Sequence, residues 1–282
     1  MSVAAKMGLI GIALGGFILS AGAQTAVDTT HKVDVIKPAP VVPRPYKPKP
    51  KGPKPIRREL SMGFRLNTDG WGVFVDRGAI RSDNVKLSDM FYTVKLWQIE
   101  FDEKKDPRES KTTSNDQGSS SGASNPYIFG KINNFYTFKV GLGTSKLIAG
   151  KPDPGATSIH WVITGGASLG LLKPYYLDAH YNGIDQAIKF TDQTSSTFLD
   201  RGLIAGAAGF SKGLGETKMV PGVHLKTGLH FDFSGNRKTV FGVEAGMNFE
   251  YYTQPIQIMA LPAGTPYFFN LYASIQFGKR WL

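Results

Sequence analysis

The sequence predicts an all-β chain: an eight-stranded antiparallel transmembrane up-and-down β-barrel with an N-terminal Pro/Lys-rich extended tail. Three observations carry this. From Leu60 to the C-terminus apolar and polar residues alternate with a period of two, as on a strand with one greasy and one wet face. Several of these runs exceed ten residues, whereas soluble sandwiches use shorter strands and a membrane-crossing strand needs about 9 to 11. After the first 25 residues no apolar run approaches the roughly 18 that a membrane helix requires. Composition excludes other classes. A chain that is 41% hydrophobic and 12% aromatic is too apolar for a disordered protein, and with no Cys there is no disulfide scaffold, thiolate metal site or cysteine nucleophile.

The chain divides into three segments. Residues 1–23 read as a signal peptide: Lys6, then an uncharged stretch from Met7 to Ser20, then Ala21-Gly22-Ala23 before Gln24. Because no Cys follows, lipid attachment at a new N-terminal cysteine is impossible, so the protein is held at a membrane by its fold or not at all.

Residues 24–58 form a tether. Nine basic residues and one acid lie between Lys32 and Arg58, which is +8 of the formal +11, and eight prolines fall between Pro38 and Pro55. Such a segment lacks donors for a sheet and cannot be a helix, so extended polyproline II is expected. One reading makes it an arm for a periplasmic partner, through Arg44, Tyr46, Lys47, Lys49, Lys51, Lys54, Arg57 and Arg58. The other makes it a solvated spacer. An exported chain does not routinely meet nucleic acid, which is therefore not expected as a partner.

Residues 59–282 are the expected barrel. A first strand carries Leu60, Met62, Phe64 and Leu66 to the hairpin turn Asp69-Gly70, and Trp71 to Ile80 returns. In the third, Phe91 to Phe101, Tyr92, Val94 and Leu96 share a face before the apolar row switches to Trp97, Ile99 and Phe101, which suggests a bulge. The fourth has Tyr136, Phe138, Val140 and Leu142, and the fifth runs from Ile159 to Leu171. Val223 to Phe233, Phe241 to Tyr251 and Tyr267 to Phe277 complete eight, unless the segment 174–220 adds a further pair. Short and long connections alternate, as turns and external loops do in outer-membrane barrels. An even strand number puts tail and C-terminus together in the periplasm. Aromatic residues near strand ends (Tyr127, Phe135, Trp161, Tyr251, Tyr252, Tyr267, Trp281) suit a membrane interface. A soluble barrel with its apolar row inside shows the same periodicity and stays open as an alternative.

If the greasy face meets lipid, then Arg65, Asp76, Lys95, Lys139, His160, His224, Lys226, His230, Asp232, Glu244 and Glu250 point inward, where both signs can pair. An eight-stranded barrel is filled by its own side chains, so a network and not a pore is expected. No catalytic, cofactor or metal residues are assigned. Gly166-Ala167-Ser168-Leu169-Gly170 fits the nucleophile-elbow string but lies inside a strand instead of a strand-to-helix turn. A rim hydrolase, with His180 or His160 beside Ser158 or Asp178, and a small-solute channel are the alternatives to a non-enzymatic anchor.

Six stretches carry a family resemblance: RRELSMGFRLNTDGWGVF (Arg57 to Phe74), GKINNFYTFKVG (Gly130 to Gly141), IAGKPDPGATSIHW (Ile148 to Trp161), GLLKPYY (Gly170 to Tyr176), FSKGLGE (Phe210 to Glu216) and PYFFNLYASIQFGKRW (Pro266 to Trp281). They resemble a family of Bacteroidota outer-membrane β-barrel proteins. The resemblance implies a small barrel in the outer membrane that serves as an accessory subunit beside a larger barrel, in the machinery for outer-membrane protein insertion or type 9 secretion. It implies no enzyme site and no cofactor.

Overall fold

A strand whose alternate side chains differ in polarity must cover one row and present the other, and here the apolar row is the one presented. The computed structural model describes residues 57–81, 93–113, 125–150, 156–235 and 238–281; residues 1–56, which hold the signal segment and nearly all of the tether, lie outside the described residues. In chain order the strands are β1 (Arg58–Asn67), β2 (Gly70–Arg81), β3 (Thr93–Lys104), β4 (Lys111–Thr112), β5 (Tyr127–Ile128), β6 (Asn133–Gly150), β7 (Ser158–Pro174), β8 (Tyr176–Tyr181), β9 (Ile184–Lys189), β10 (Ile204–Ala207), β11 (Lys218–Asp232), β12 (Thr239–Ile256) and β13 (Thr265–Trp281). A single-turn helix α1 (Ser195–Phe198) lies between β9 and β10.

Eight of these close into a barrel in the order β1-β13-β12-β11-β7-β6-β3-β2, every neighbour antiparallel. The last strand pairs with the first, from Arg58↔Trp281 to Asn67↔Tyr272. This is an up-and-down meander with no free edge in the wall. The wall strands run from 10 to 18 residues, enough to cross a hydrocarbon layer at a tilt. The strands of the 174–220 segment do not join the wall: β10, β8 and β9 form a separate three-stranded sheet, so the barrel has eight strands and not ten.

Side chains sort by row. Met62, Trp97 and Phe269 are about 60% exposed (63, 63 and 62%), while Arg65, Lys139 and Glu250 on the opposite row are 1, 2 and 0% exposed. Water would penalise that outward surface heavily and hydrocarbon would not, so the barrel is a transmembrane one, inside-out relative to a soluble barrel. The soluble alternative fails on this point.

Three expectations change. β3 contains no bulge: its ladders to β2 and β6 are continuous, and it alternates regularly throughout. Val94 and Leu96 turn inward, where they pack with Val162 and Ile80 as an apolar layer, and Lys95 consequently turns outward. The polarity of the row switches while the backbone does not. Register shifts lie elsewhere, between Leu147 and Ala149 and between Tyr251 and Ile256. Arg58, assigned above to the tether, is already the first residue of β1. Of the aromatic residues expected at the interface, Tyr127, Phe135 and Tyr252 are buried, whereas Trp161, Tyr251, Tyr267 and Trp281 are exposed.

Candidate functional site

The mid-lumen is held by cations that each meet several carboxylates. β3 and β6 place Glu100 opposite Lys139 and Asp102 opposite Thr137, and the register of β11 on β12 places His224 opposite Glu250. Lys139 Nζ lies 2.8 Å from Glu100, 2.5 Å from Asp102 and 2.9 Å from Glu250. Lys104 continues the chain, 2.9 Å from Asp69 and 3.1 Å from Glu250. Arg65 pairs with Glu100 while its guanidinium is sandwiched between the Phe74 and Tyr272 rings, 4.5 and 4.6 Å from their centroids. Lys226 donates to Gln98, which in turn donates to Asp76 at 2.6 Å. Desolvating one such charge costs several kcal/mol unless partners meet it, so these groups are tolerated only as a set.

Small residues make the room. Gly141 and Gly166 face each other across the β6–β7 ladder, and a Cβ on Gly166 would lie 2.1 Å from the Val140 carbonyl oxygen. One on Gly141 would come within 2.9 Å of His224 Nε2. The paired glycines thus form the niche for the His224 ring. Its Nδ1 is 3.0 Å from Ser168 Oγ. This is the serine of the elbow-like string, and it sits in mid-strand, as expected, on the lumen face. Both side chains are buried, and Ser168 stands opposite Lys139 in the β6–β7 ladder.

The end where β1 begins and β13 ends has a second cluster. Arg280 bridges Glu59 and Asp232, both at 2.6 Å. His160 faces His230 across the β7–β11 ladder, their rings 6.1 Å apart and nearly perpendicular, and His230 Nδ1 is 3.5 Å from Glu244. A small recess of about 20 Å³ lies among Glu59, Asp76, His160, His230, Glu244 and Arg280, and Arg65 is not part of its lining. Among the described residues no group of three or more His, Asp or Glu side chains is arranged to hold a metal ion. His160 is at the start of β7, beside Ser158 at 3.2 Å, while His180 is exposed in β8 beyond the other end of that strand and pairs with Asp185 at 2.9 Å. His160 and Ser158 thus do meet, but at the start of β7 and not at the cap rim, where His180 and Asp178 lie in β8.

The opposite end is closed in two layers. Phe135, Leu172, Val220, Tyr252, Ile256, Ile258 and Met259 form an apolar lid over the network, with Phe135 edge-on to Tyr252 at 5.3 Å. Above it the long loops fold into a cap with its own core of Tyr127, Ile132, Leu177, Ala179, Ile188, Phe198 and Ile204. The β8–β9 hairpin turns at Asn182-Gly183, both at positive φ (54° and 77°), the geometry of a tight two-residue turn. A buried ion pair, Lys131–Glu109 at 2.7 Å, ties the 105–113 loop to the 125–132 segment. Tyr176 donates to Glu216 at 2.9 Å and Lys189 donates to the same carboxylate. These two bonds hold the Glu216 carboxyl below its ordinary range. The cap surface nevertheless leaves Ile184, Phe210, Leu214 and Leu261 more than half exposed.

Of the expected inward residues, Arg65, Asp76, Lys139, His160, His224, Lys226, His230, Asp232, Glu244 and Glu250 are buried in the lumen, and Lys95 is outside. Sequence reasoning missed Glu59, Asp69, Glu100, Asp102, Lys104 and Arg280. Glu100, Asp102 and Lys104 do alternate with Phe101 and Glu103, a signal obscured by the supposed phase switch at Trp97. Of the proposed tether residues, Arg57 and Arg58 are described and exposed, and Arg44, Tyr46, Lys47, Lys49, Lys51 and Lys54 lie outside the described residues.

A filled, lipid-facing, eight-stranded barrel with a folded cap is the class of protein defined here. No protein-family model and no curated protein matches the sequence. Among solved structures, the chain is similar to the attachment invasion locus protein Ail of Yersinia pestis, with 8% identity and a TM-score of 0.36 over 81% of this chain and all of that one. It is also similar to Neisserial surface protein A (7% identity, TM-score 0.34, 81% of this chain and 97% of that one). A third is the N-terminal β-barrel domain of Pseudomonas aeruginosa OprF (9%, 0.31, 79% and 96%). At these values the likeness does not bear on activity.

Proposed function

We propose that this chain is a non-enzymatic outer-membrane anchor and accessory scaffold of an envelope protein complex, of the protein-insertion or the secretion type. The observation that carries the reading is the use of space. The lumen is occupied by mutually paired buried charges and lidded by an apolar layer, while the loops form a cap that leaves large apolar side chains at its surface. An interior spent on ion pairs offers no path for a solute. What is left to do chemically is on the outside. In this reading the termini face the periplasm, the tether of residues 24–58 engages a periplasmic protein, and the cap or the lipid-facing wall docks a larger outer-membrane barrel. The likeness of the sequence to Bacteroidota barrels supports the setting.

The test is affinity recovery of the full chain from native membranes in several mild detergents. Stoichiometric co-purification of a larger barrel, lost on deleting residues 37–55 or on Phe210→Ser/Leu214→Ser, is the expected result. Recovery of the lone chain under every condition overturns the scaffold reading.

A further inference from the structure

Near the end where β1 begins and β13 ends, the outward charge of the described residues on one side of the wall has a single sign. Arg77 on β2, Lys95 on β3 and Lys146 on β6 are all exposed. Register makes them a staircase: Arg77 opposes Trp97, two residues from Lys95, and Lys146 opposes Thr93, two residues from Lys95 on its other side. Diagonal neighbours of this kind are about 7–8 Å apart, within reach of one ligand for long side chains. Among the described residues, the carboxylates at this end, Glu59, Asp76, Asp232 and Glu244, turn inward and are buried. None of the three cations has a side-chain ion pair with a described residue. Among the described residues the staircase therefore sets three positive charges side by side with no carboxylate paired to any of them, and such charges repel one another unless an anion lies over them.

Directly along the strands the surface becomes aliphatic. Val75 opposes Ile99 and Ile99 opposes Val140, with Leu142 beside Trp97, and all of these are exposed. A free phosphate would match only the cations, and an acidic protein would not need the aliphatic column. A molecule with a phosphate at one end and acyl chains at the other matches both.

We infer that Arg77, Lys95 and Lys146, with Trp97, form a binding site for the headgroup of an anionic phospholipid whose acyl chains lie along Val75, Ile99, Val140 and Leu142. The inference rests on the reading of the wall as lipid-facing. Cationic side chains at an interface reach toward phosphate while their stems stay on apolar surface, which fits this placement.

The full chain with Trp97 as its sole tryptophan (Trp71→Phe, Trp161→Phe, Trp281→Phe) is reconstituted in phosphatidylcholine vesicles containing a fifth of brominated phosphatidylglycerol or, in parallel, of brominated phosphatidylcholine. Quenching by the anionic lipid at least about threefold above that by the neutral one, reduced at high salt, is expected for three cations near the surface. Lys95→Gln/Lys146→Gln should bring the two lipids to parity. Equal quenching by both in the unmutated site overturns the lipid site and leaves the membrane reading standing. Quenching by neither overturns the membrane reading itself. The comparison of the two lipids decides the matter even if the double variant does not fold.

Discussion

Lys139 on β6 stands directly opposite Glu100 on β3, and its ammonium is 2.8 Å from that carboxylate while also contacting Asp102 and Glu250 from two directions. One cation thus serves three anions on two sides of the lumen. Its environment is low in dielectric and its partners are fixed by strand register, so the cluster acts as a cross-brace between β3, β6 and β12.

Lys139→Met should leave buried Asp102 without its cation, and Glu100 and Glu250 with one fewer, held by Arg65 and Lys104. Breaking a buried ion cluster by removing one partner costs about 3–5 kcal/mol. Urea unfolding of the reconstituted barrel, followed by tryptophan fluorescence, measures this. Lys139→Arg should cost less than Lys139→Met, since the charge is kept; equal losses would show that packing, not charge, is what matters there.

The cap should come apart without the barrel. Phe198 is fully buried in the cap core and touches Phe190 edge-on at 5.6 Å. Phe198→Ala should destabilise the cap by about 3–5 kcal/mol, the usual cost of emptying an aromatic core position. The expected outcome is faster protease cleavage within 175–217, with the heat-modifiable gel mobility of the barrel unchanged.

The filled lumen predicts no conductance steps for the intact protein in planar bilayers. Phe135→Ala/Tyr252→Ala, which opens the apolar lid, should still give none, because the Lys139 and Arg65 layers lie beneath it. Sustained steps in the unmutated protein would contradict the filled interior.

The exposed Tyr176–Glu216–Lys189 cluster gives the cap a weak dependence on pH. The Glu216 carboxyl is held below its ordinary 4.5 by its bonds to Lys189 and Tyr176, and Lys189 is held above its ordinary 10.5 by the bond to Glu216. A depressed carboxyl contributes stability above its unfolded value and loses it as pH falls through the folded one. A raised lysine contributes below its unfolded value and loses it as pH rises through the folded one. Hydrogen exchange of the 208–217 segment should therefore be slowest, after correction for the intrinsic rate, between these limits and faster below about pH 4.5. In Glu216→Gln the acid arm of this dependence should vanish.

Much of the wall was legible because period-two alternation survives wherever lipid lies on one side and charge on the other. β11, β12 and β13 show it without interruption, and the sequence alone assigns their inward residues. It misleads at the ends of the lumen, where the interior is itself apolar. Val94 and Leu96 face inward against Val162, so the pattern on β3 inverts and Lys95 falls on the wrong row. Tyr252 and Phe135 mislead for the same reason at the other end: an aromatic near a strand end either anchors at the interface or plugs the lumen, and alternation does not tell which. The cap was invisible, because its core draws single residues from separated loops, such as Tyr127, Leu177, Phe198 and Ile204, with no shared periodicity.

The seam between β1 and β13 has a consequence for biogenesis. Arg58 meets Trp281, so the ring cannot shut until its final residues have been delivered, and every shorter intermediate exposes two raw edges of unpaired amides. Such an intermediate is intolerable in hydrocarbon, so insertion has to follow synthesis, and loss of the Gln276–Trp281 segment should strip six of the ten residue pairs that shut the ring.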